Sequence, residues 1–245
     1  MSSTDSTEFS DFPLPTYRTL SVIVPVFNER NTVGEIIRRM RKVELPVDLQ
    51  IVVVDDASAD GTDKILTALE DSTVRVISHP TNQGKGAAIR TGLEFASGDL
   101  ILIQDADLEY DPDDWPKLLA PIMKGKATVV YGSRFTGERR NMLFLHWVGN
   151  RFLSLVTNVL YNTTISDMET CYKLFDRKAI EGLTIESNRF DFEPEITAKV
   201  IRRGHRIYEV PISYAGREFD EGKKITWKDG FGAIWALVKY RVKPL

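Results

Sequence analysis

The stretch Leu100-Ile-Leu-Ile-Gln-Asp105-Ala-Asp107-Leu-Glu109 fixes the reading of the whole chain. Four apolar residues end abruptly in acidic side chains, the pattern of a buried parallel strand where it emerges at its carboxyl end. Open α/β sheets bind their ligands at that edge. Residues two apart on an extended segment point the same way, so Asp105, Asp107 and Glu109 are expected to gather their carboxylates on one side. Hard oxygen ligands without His or Cys suit Mg²⁺ or Mn²⁺, ions that complete their octahedron with substrate phosphate oxygens. For so short a motif the alternative is an inert acidic loop, so its surroundings have to carry the reading.

Working outward, Leu20–Val26 is a β-branched run followed by Phe27-Asn28-Glu29, and Thr32 with Glu35 reads as a capping box for a helix bearing Val33, Ile36, Ile37 and Met40 on its inner face. Leu49–Val54 is a second buried strand ending in Asp55-Asp56, and Val74–Ser78 a third, leading through Asn82-Gln-Gly-Lys-Gly86 into a helix near residues 87–96. Strands alternating with helices of this length imply βαβ units, right-handed crossovers and a parallel, Rossmann-like sheet. Beyond the central stretch the pattern predicts a helix over Trp115–Lys124 and a strand over Ala127–Gly132. A strand at Cys171–Phe175, a helix at Glu193–Arg203, a strand at Arg206–Tyr214 and a terminal helix from Trp227 to about Tyr240 follow. Met142–Tyr161 is dense in large apolar residues. It reads either as a buried helix pair or as a helix in a bilayer interface, with Phe144, Leu145, Trp147 and Phe152 entering lipid. Residues 1–18 are polar and Pro-containing, a disordered or loosely draped tail ahead of one domain over 19–245.

Composition removes several function classes. With 32 basic and 35 acidic residues the net charge is −3, so no positive field recommends nucleic acid as partner. Cys171 is the single cysteine, which excludes an internal disulfide framework, and three scattered histidines do not build a zinc site of usual spacing. No signal peptide opens the chain and no apolar run reaches the roughly 20 residues needed to span a bilayer. A soluble or peripheral protein in a reducing cytosol is expected, and the sequon Asn162-Thr-Thr reads as chance.

Other residues carry chemistry of their own. Asp55 and Asp56 end a strand where one carboxylate can accept from a base or ribose hydroxyl and the other can structure the turn. Gly84-Lys85-Gly86 offers a flexible basic loop before a helix start, a diphosphate cradle. The dinucleotide pattern fails there, because Ile89 stands at the third glycine position and the loop follows the third strand rather than the first. Arg134, Arg217 and Lys223-Lys224 are cations suited to phosphate.

Five ordered motifs together resemble family 2 inverting glycosyltransferases of the GT-A fold: Val22-Ile-Val-Pro-Val-Phe-Asn-Glu29, Val52-Val-Val-Asp-Asp-Ala-Ser58, Asn82-Gln-Gly-Lys-Gly86, Gln104-Asp-Ala-Asp107 and Gly132-Ser-Arg-Phe135. Within that family Asp167-Met-Glu-Thr-Cys-Tyr-Lys-Leu-Phe175, Phe192-Glu-Pro-Glu195, Val210-Pro-Ile212 and Arg217 with Gly222-Lys-Lys224 are similar to the dolichol-phosphate and polyprenyl-phosphate mannose and glucose synthases. The resemblance implies a GT-A fold, with a nucleotide-binding half over 19–110, an acceptor-binding half over 111–245 and amphipathic C-terminal helices. It implies that Pro25, Phe27, Glu29 and Asp56 hold the nucleoside, with Val54, Lys85, Gly86 and Ala106 lining the same donor site. Asp105, Asp107 and Glu109 would hold Mg²⁺ or Mn²⁺ and the donor diphosphate. Arg134, Asn150, Arg151, Ser154 and Asp167 would line the lipid-phosphate side, with Arg217 and Lys224 closing over it. The catalytic groups would be Asp105, Asp107, Arg134 and Arg217.

The implied reaction moves a hexose, mannose favoured, from GDP-mannose or UDP-glucose to a polyprenyl or dolichyl monophosphate on the cytoplasmic face of a membrane, with inversion. Two features depart from such synthases. Glu109 stands where they often carry Gln, and the C-terminal membrane helices of many relatives are missing from this sequence. Attachment would then fall to residues 142–161, the basic tail, or a separate membrane-anchoring protein. The alternatives are transfer from a UDP-sugar to a hydroxyl acceptor, with Asp167 or Glu169 as base, and a catalytically silent GT-A binding module. An NAD-dependent oxidoreductase comes last.

Overall fold

The computed structural model describes residues 14–216 and 227–244. The apolar runs form the expected strands, and their order explains where the acids meet. Strands β1 (Thr19–Val26), β2 (Asp48–Asp55), β3 (Val74–Ser78) and β4 (Leu100–Ile103) pair in parallel, in the spatial order β3-β2-β1-β4. Helices α1 (Val33–Met40), α2 (Thr62–Leu69) and α3 (Lys85–Phe95) make the connections. Every residue of β4 is buried, as a strand covered on both faces requires. A 3-10 turn at Pro112–Asp114 leads into α4 (Trp115–Met123) and β5 (Val129–Ser133).

The second half breaks the parallel pattern once. β6 (Lys173–Asp176) runs antiparallel between β4 and β5, while β7 (Ile207–Pro211) pairs in parallel with β5, completing a seven-stranded sheet. Leu102 pairs with Leu174, so the start of β6 and the loop before it lie at the carboxyl end of β4, beside Asp105. That inversion brings residues 166–172 to the sheet's ligand edge. Helices α5 (Phe144–Tyr161), α6 (Arg177–Ile180), α7 (Phe192–Arg202) and α8 (Trp227–Val242) complete the chain.

Three expectations are corrected. Thr32 forms no cap to α1; its hydroxyl donates to the Glu29 carboxylate at 2.8 Å, and Glu35 instead pairs with Arg38 and Arg39. Residues 14–18 are tied down rather than draped, since the Tyr17 hydroxyl donates to Asp176 at 2.9 Å and the Arg18 N–H to Asp99 at 2.7 Å. Residues 142–161 do not form a buried helix pair. From Phe144 they form one long helix whose inner face is Ser154, Thr157 and Tyr161, while Phe144, Leu145, Val148, Phe152, Leu155 and Val159 face outward at helical spacing. α5 packs against α8, where the Tyr161 hydroxyl donates to the Leu237 carbonyl at 2.6 Å. α8 turns out a matching stripe of Phe231, Trp235, Val238 and Val242. Among the described residues no helix is long and apolar enough to cross a membrane.

Candidate active site

Asp105 leaves the end of β4 and meets the first residue of α3: its Oδ1 lies 2.9 Å from Lys85 Nζ. The same ammonium lies 2.9 Å from Oε1 of Glu193, in the first turn of α7. Three elements are thus pinned together at the sheet edge by one cation between two carboxylates. Asp107 accepts the Glu109 N–H at 3.1 Å, across a turn in which Leu108 takes a positive φ of 64°.

That turn redirects Glu109, the third of the expected metal ligands. Extended alternation ends at Leu108, and Glu109 swings toward the segment after β7, where its carboxylate accepts from the Tyr214 hydroxyl at 2.8 Å. Among the described residues no three carboxylate, His or Cys side chains are placed to share an ion. Asp105 and Asp107 remain together on one turn. Mg²⁺ and Mn²⁺ are commonly held by one or two carboxylates with phosphate oxygens completing the shell, so this pair fits a cation that arrives with a diphosphate.

The glycine loop has a different task from the one expected. A side chain at Gly86 would collide with the Ser187 carbonyl, and one at Gly84 with that of Asn188, so both glycines let this loop pack on residues 187–189. The Ala87 N–H already donates to the Asn188 carbonyl, and the Gly84 N–H to Asp56 at 2.7 Å. The Gly84 and Ala87 amides are therefore already engaged, while the Lys85 side chain reaches Asp105 and Glu193 at the mouth. Asp56, expected at the nucleoside, spends both oxygens inside the protein, on the Gln83 and Gly84 N–H groups and on His79 Nδ1 at 2.7 Å. It is an organiser of the loop that presents Lys85. Asp55 shapes the neighbouring turn by accepting from Ser58. Pro25 and Phe27 stand half-buried at the carboxyl end of β1, with Glu29 buried beside them; Val54, paired on both sides within the sheet, and Ala106 are buried too.

On the acceptor side Arg134 is not a free phosphate receptor. Its guanidinium makes a bidentate bond to Asp167, Nε to Oδ2 and Nη2 to Oδ1, each at 2.7 Å, and its backbone N–H adds a third at 2.9 Å. Asn150 accepts from the same guanidinium, and the Ser154 hydroxyl is buried, accepting the Met168 N–H at 3.1 Å. Asn150, Ser154 and Asp167 are therefore the frame that ties α5 to the 166–172 loop. Two exposed cations stand beside that frame, Arg151 and Arg139, the second of which sequence reasoning missed. With Arg134 they converge on the Phe135 ring, all three guanidinium carbons within 5.6–5.8 Å of its centroid. Arg217 and Lys224 lie outside the described residues.

Behind Asp105 sits a second charged layer. Lys173, fully buried on β6, donates to the carbonyls of Met168 and Thr170 and stands 4.6 Å over the Tyr131 ring. Burial, then the nearby Glu193 carboxylate, pushes the Glu169 carboxyl up to about 8, and burial holds Lys173 below the usual lysine range. A raised folded-state pKa means that the native protein holds this proton more tightly than the unfolded chain, whose Glu ionises near 4.5. The stabilisation is fully present below that value and is lost as pH rises to about 8. We expect the stability difference between wild type and Glu169→Gln, measured by urea unfolding, to favour wild type less at pH 8 than at pH 5. A pH-independent difference would show that Glu169 ionises normally.

Comparison with known proteins agrees with this geometry. The family model described as glycosyl transferase family 2 matches residues 21–184. The chain belongs to glycosyl transferase family 2. A low-salt glycan biosynthesis hexosyltransferase, Agl6, from Haloferax volcanii is 35% identical to it over 91% of this chain and 52% of its own length. The chain thus spans about half of that relative. A second Haloferax volcanii protein, the glycosyltransferase AglJ, is 28% identical over 83% of this chain and 65% of its own. Glucosyl-3-phosphoglycerate synthase from Mycobacterium tuberculosis, solved with Mn²⁺, UDP and glucosyl-3-phosphoglycerate, superposes with a TM-score of 0.71 at 21% identity, covering 93% of this chain and 81% of that one. That likeness bears out the expected GT-A fold.

Proposed function

We propose that this family 2 protein transfers a hexose, mannose favoured, from a nucleotide sugar to a polyprenyl or dolichyl monophosphate at the cytoplasmic face of a membrane. The observation that carries the reading is the double role of α5. Its outer stripe is apolar, yet Asn150 and Ser154 on its other side bond Arg134 and the 166–172 loop, and Arg151 lies over Phe135. A lipid lying along α5 and α8 would bring its phosphate to Arg151 and Arg139. The relative named for glycan biosynthesis and the neighbour solved with Mn²⁺ and UDP support a nucleotide-sugar donor, and the two candidates we carry forward are GDP-mannose and UDP-glucose.

The chemistry follows from the charges. An acceptor phosphate oxygen attacks the anomeric carbon on the face opposite the diphosphate; the new C–O bond forms as the bond to the nucleoside diphosphate breaks, and that group leaves with the electron pair. Asp105 and Asp107 are the carboxylates that would hold Mg²⁺ or Mn²⁺, an ion that when bound would offset charge developing on the leaving group. Lys85 supplies a second positive charge at the same mouth, and Arg151 and Arg139 align the acceptor. The phosphate is already anionic, so no general base is needed. A hydroxyl acceptor is the second reading. Asp167 is unsuited to serve as its base because Arg134 holds both its oxygens, which leaves Glu169, whose raised pKa suits that role.

Radiolabelled nucleotide sugar incubated with the protein and polyprenyl phosphate should place label in the organic extract; label appearing only in water-soluble product would favour the hydroxyl acceptor. The membrane part has its own test. Full burial of one large apolar side chain is worth about 1.5–3 kcal/mol, so Leu145→Glu with Phe152→Glu should weaken co-sedimentation with anionic phospholipid vesicles at least about tenfold. Unchanged sedimentation would move the attachment to another surface or partner. Lys239 and Lys243 are weaker candidates for lipid contact, because both are paired with Glu186.

A further inference from the structure

The layer behind Asp105 contains acceptor atoms with nothing to accept. Glu193 is 4% exposed; its Oε1 meets Lys85, while Oε2 is enclosed and has no hydrogen-bond partner. Two more enclosed oxygens share this condition, Oε1 of Glu169 and Oγ1 of Thr170, both on the loop that Cys171 Sγ and the Tyr172 hydroxyl hold over the end of β4. The three belong to one cluster. Lys173 Nζ bonds the Thr170 carbonyl and lies over the Tyr131 ring, whose hydroxyl bonds Thr197, and the Thr197 hydroxyl donates to the Glu193 carbonyl. Buried polar atoms are nearly always satisfied, and each one left unmade costs about 1–3 kcal/mol. Three together, next to the carboxylate that would face a donor diphosphate, mark a site whose partner is a ligand.

The charges say what kind of ligand. Lys85 already sits between Asp105 and Glu193, and the Lys173 ammonium is taken up by two backbone carbonyls, so the cluster does not call for another cation. It lacks neutral donors, which hydroxyl groups supply, and a hydroxyl can donate to a carboxylate while accepting from Thr170. We propose that Glu193, Glu169 and Thr170 read the hydroxyls of the transferred hexose and set which sugar is accepted. This rests on the nucleotide-sugar reading above. A site built to bond particular hydroxyls discriminates strongly against a sugar that lacks or misplaces one, because its own buried groups are then left unpaired.

Calorimetric titrations of the full chain with Mn²⁺ test this, using UDP, UDP-glucose, UDP-galactose, GDP and GDP-mannose against wild type, Glu169→Gln and Thr170→Val. Both substitutions nearly keep side-chain shape, and two independent variants guard against one that misfolds. The expected result is unchanged affinity for the free nucleoside diphosphate, with the preferred nucleotide sugar bound about tenfold more weakly and the preference among sugars reduced. If both variants bind nucleotide and nucleotide sugar as wild type does, the orphan oxygens serve only buried water and the inference is wrong. It is equally wrong if each variant loses both ligands in proportion. Wild-type protein that binds none of the five takes down the nucleotide-sugar reading itself.

Discussion

Asp107→Ala is expected to lower sugar transfer by a factor of about 10³ or more, since stabilising the charge that develops on the leaving group is the main electrostatic service such a site performs. The melting temperature should move little. Asp107 sits on a turn at the sheet edge rather than in the core, where it accepts the Glu109 N–H at 3.1 Å. Asp107→Asn keeps an acceptor for that amide and removes the charge, so it should be nearly as inactive. An Asn variant with wild-type turnover would separate the turn from the chemistry. Glu109→Gln is the informative contrast: its carboxylate is drawn to Tyr214, so this change should cost far less than either change at Asp107.

Arg134→Met carries the largest expected loss of stability. Asp167 is 0% exposed and receives three bonds from Arg134, two from the guanidinium and one from its backbone. Removing the guanidinium strands a buried carboxylate, which typically costs about 3–5 kcal/mol. For a domain of this size that corresponds to a fall in melting temperature of roughly 10 °C. Pairing the change with Asp167→Leu removes the stranded charge and should return much of the loss, as buried ion pairs can often be replaced by apolar residues of similar volume. Equal destabilisation in the single and double variants would place the damage elsewhere, in Asn150 or in the Arg134 backbone.

What the sequence made legible follows from how locally each feature is encoded. Strands β1, β2 and β4 are nearly unbroken apolar runs followed by polar residues, and such runs identify both a buried strand and its exit. Asp105, Asp107 and Lys85 stand at or near those exits, which is why they could be found. The direction of β6 was not legible, since Lys173-Leu-Phe-Asp176 reads the same whichever way it is threaded, and that direction places Glu169 and Thr170 over the site. Glu193 escaped for a related reason: beside Glu195 in one helix turn it looks identical, yet Glu195 is satisfied by Lys199 and the Glu186 and Ser187 amides. Gly84 and Gly86 suggested a phosphate loop because glycine permits close approach, and the sequence does not say whether ligand or backbone approaches. Arg134 looked available because its partner lies 33 residues away. In α5 the composition showed that something apolar was needed, while only the packing of Ser154, Thr157 and Tyr161 inward revealed which face is outside.

The proposed activity requires the turn after β4 to bind a divalent cation together with a nucleoside diphosphate. Crystals grown with Mn²⁺ and UDP or GDP, measured at the manganese absorption edge, test it most directly. An anomalous peak bonded to the Asp107 carboxylate and to diphosphate oxygens, with Lys85 beside them, is the expected result. A bound nucleotide whose diphosphate lies away from Asp105 and Asp107, with no manganese at that turn, would contradict it.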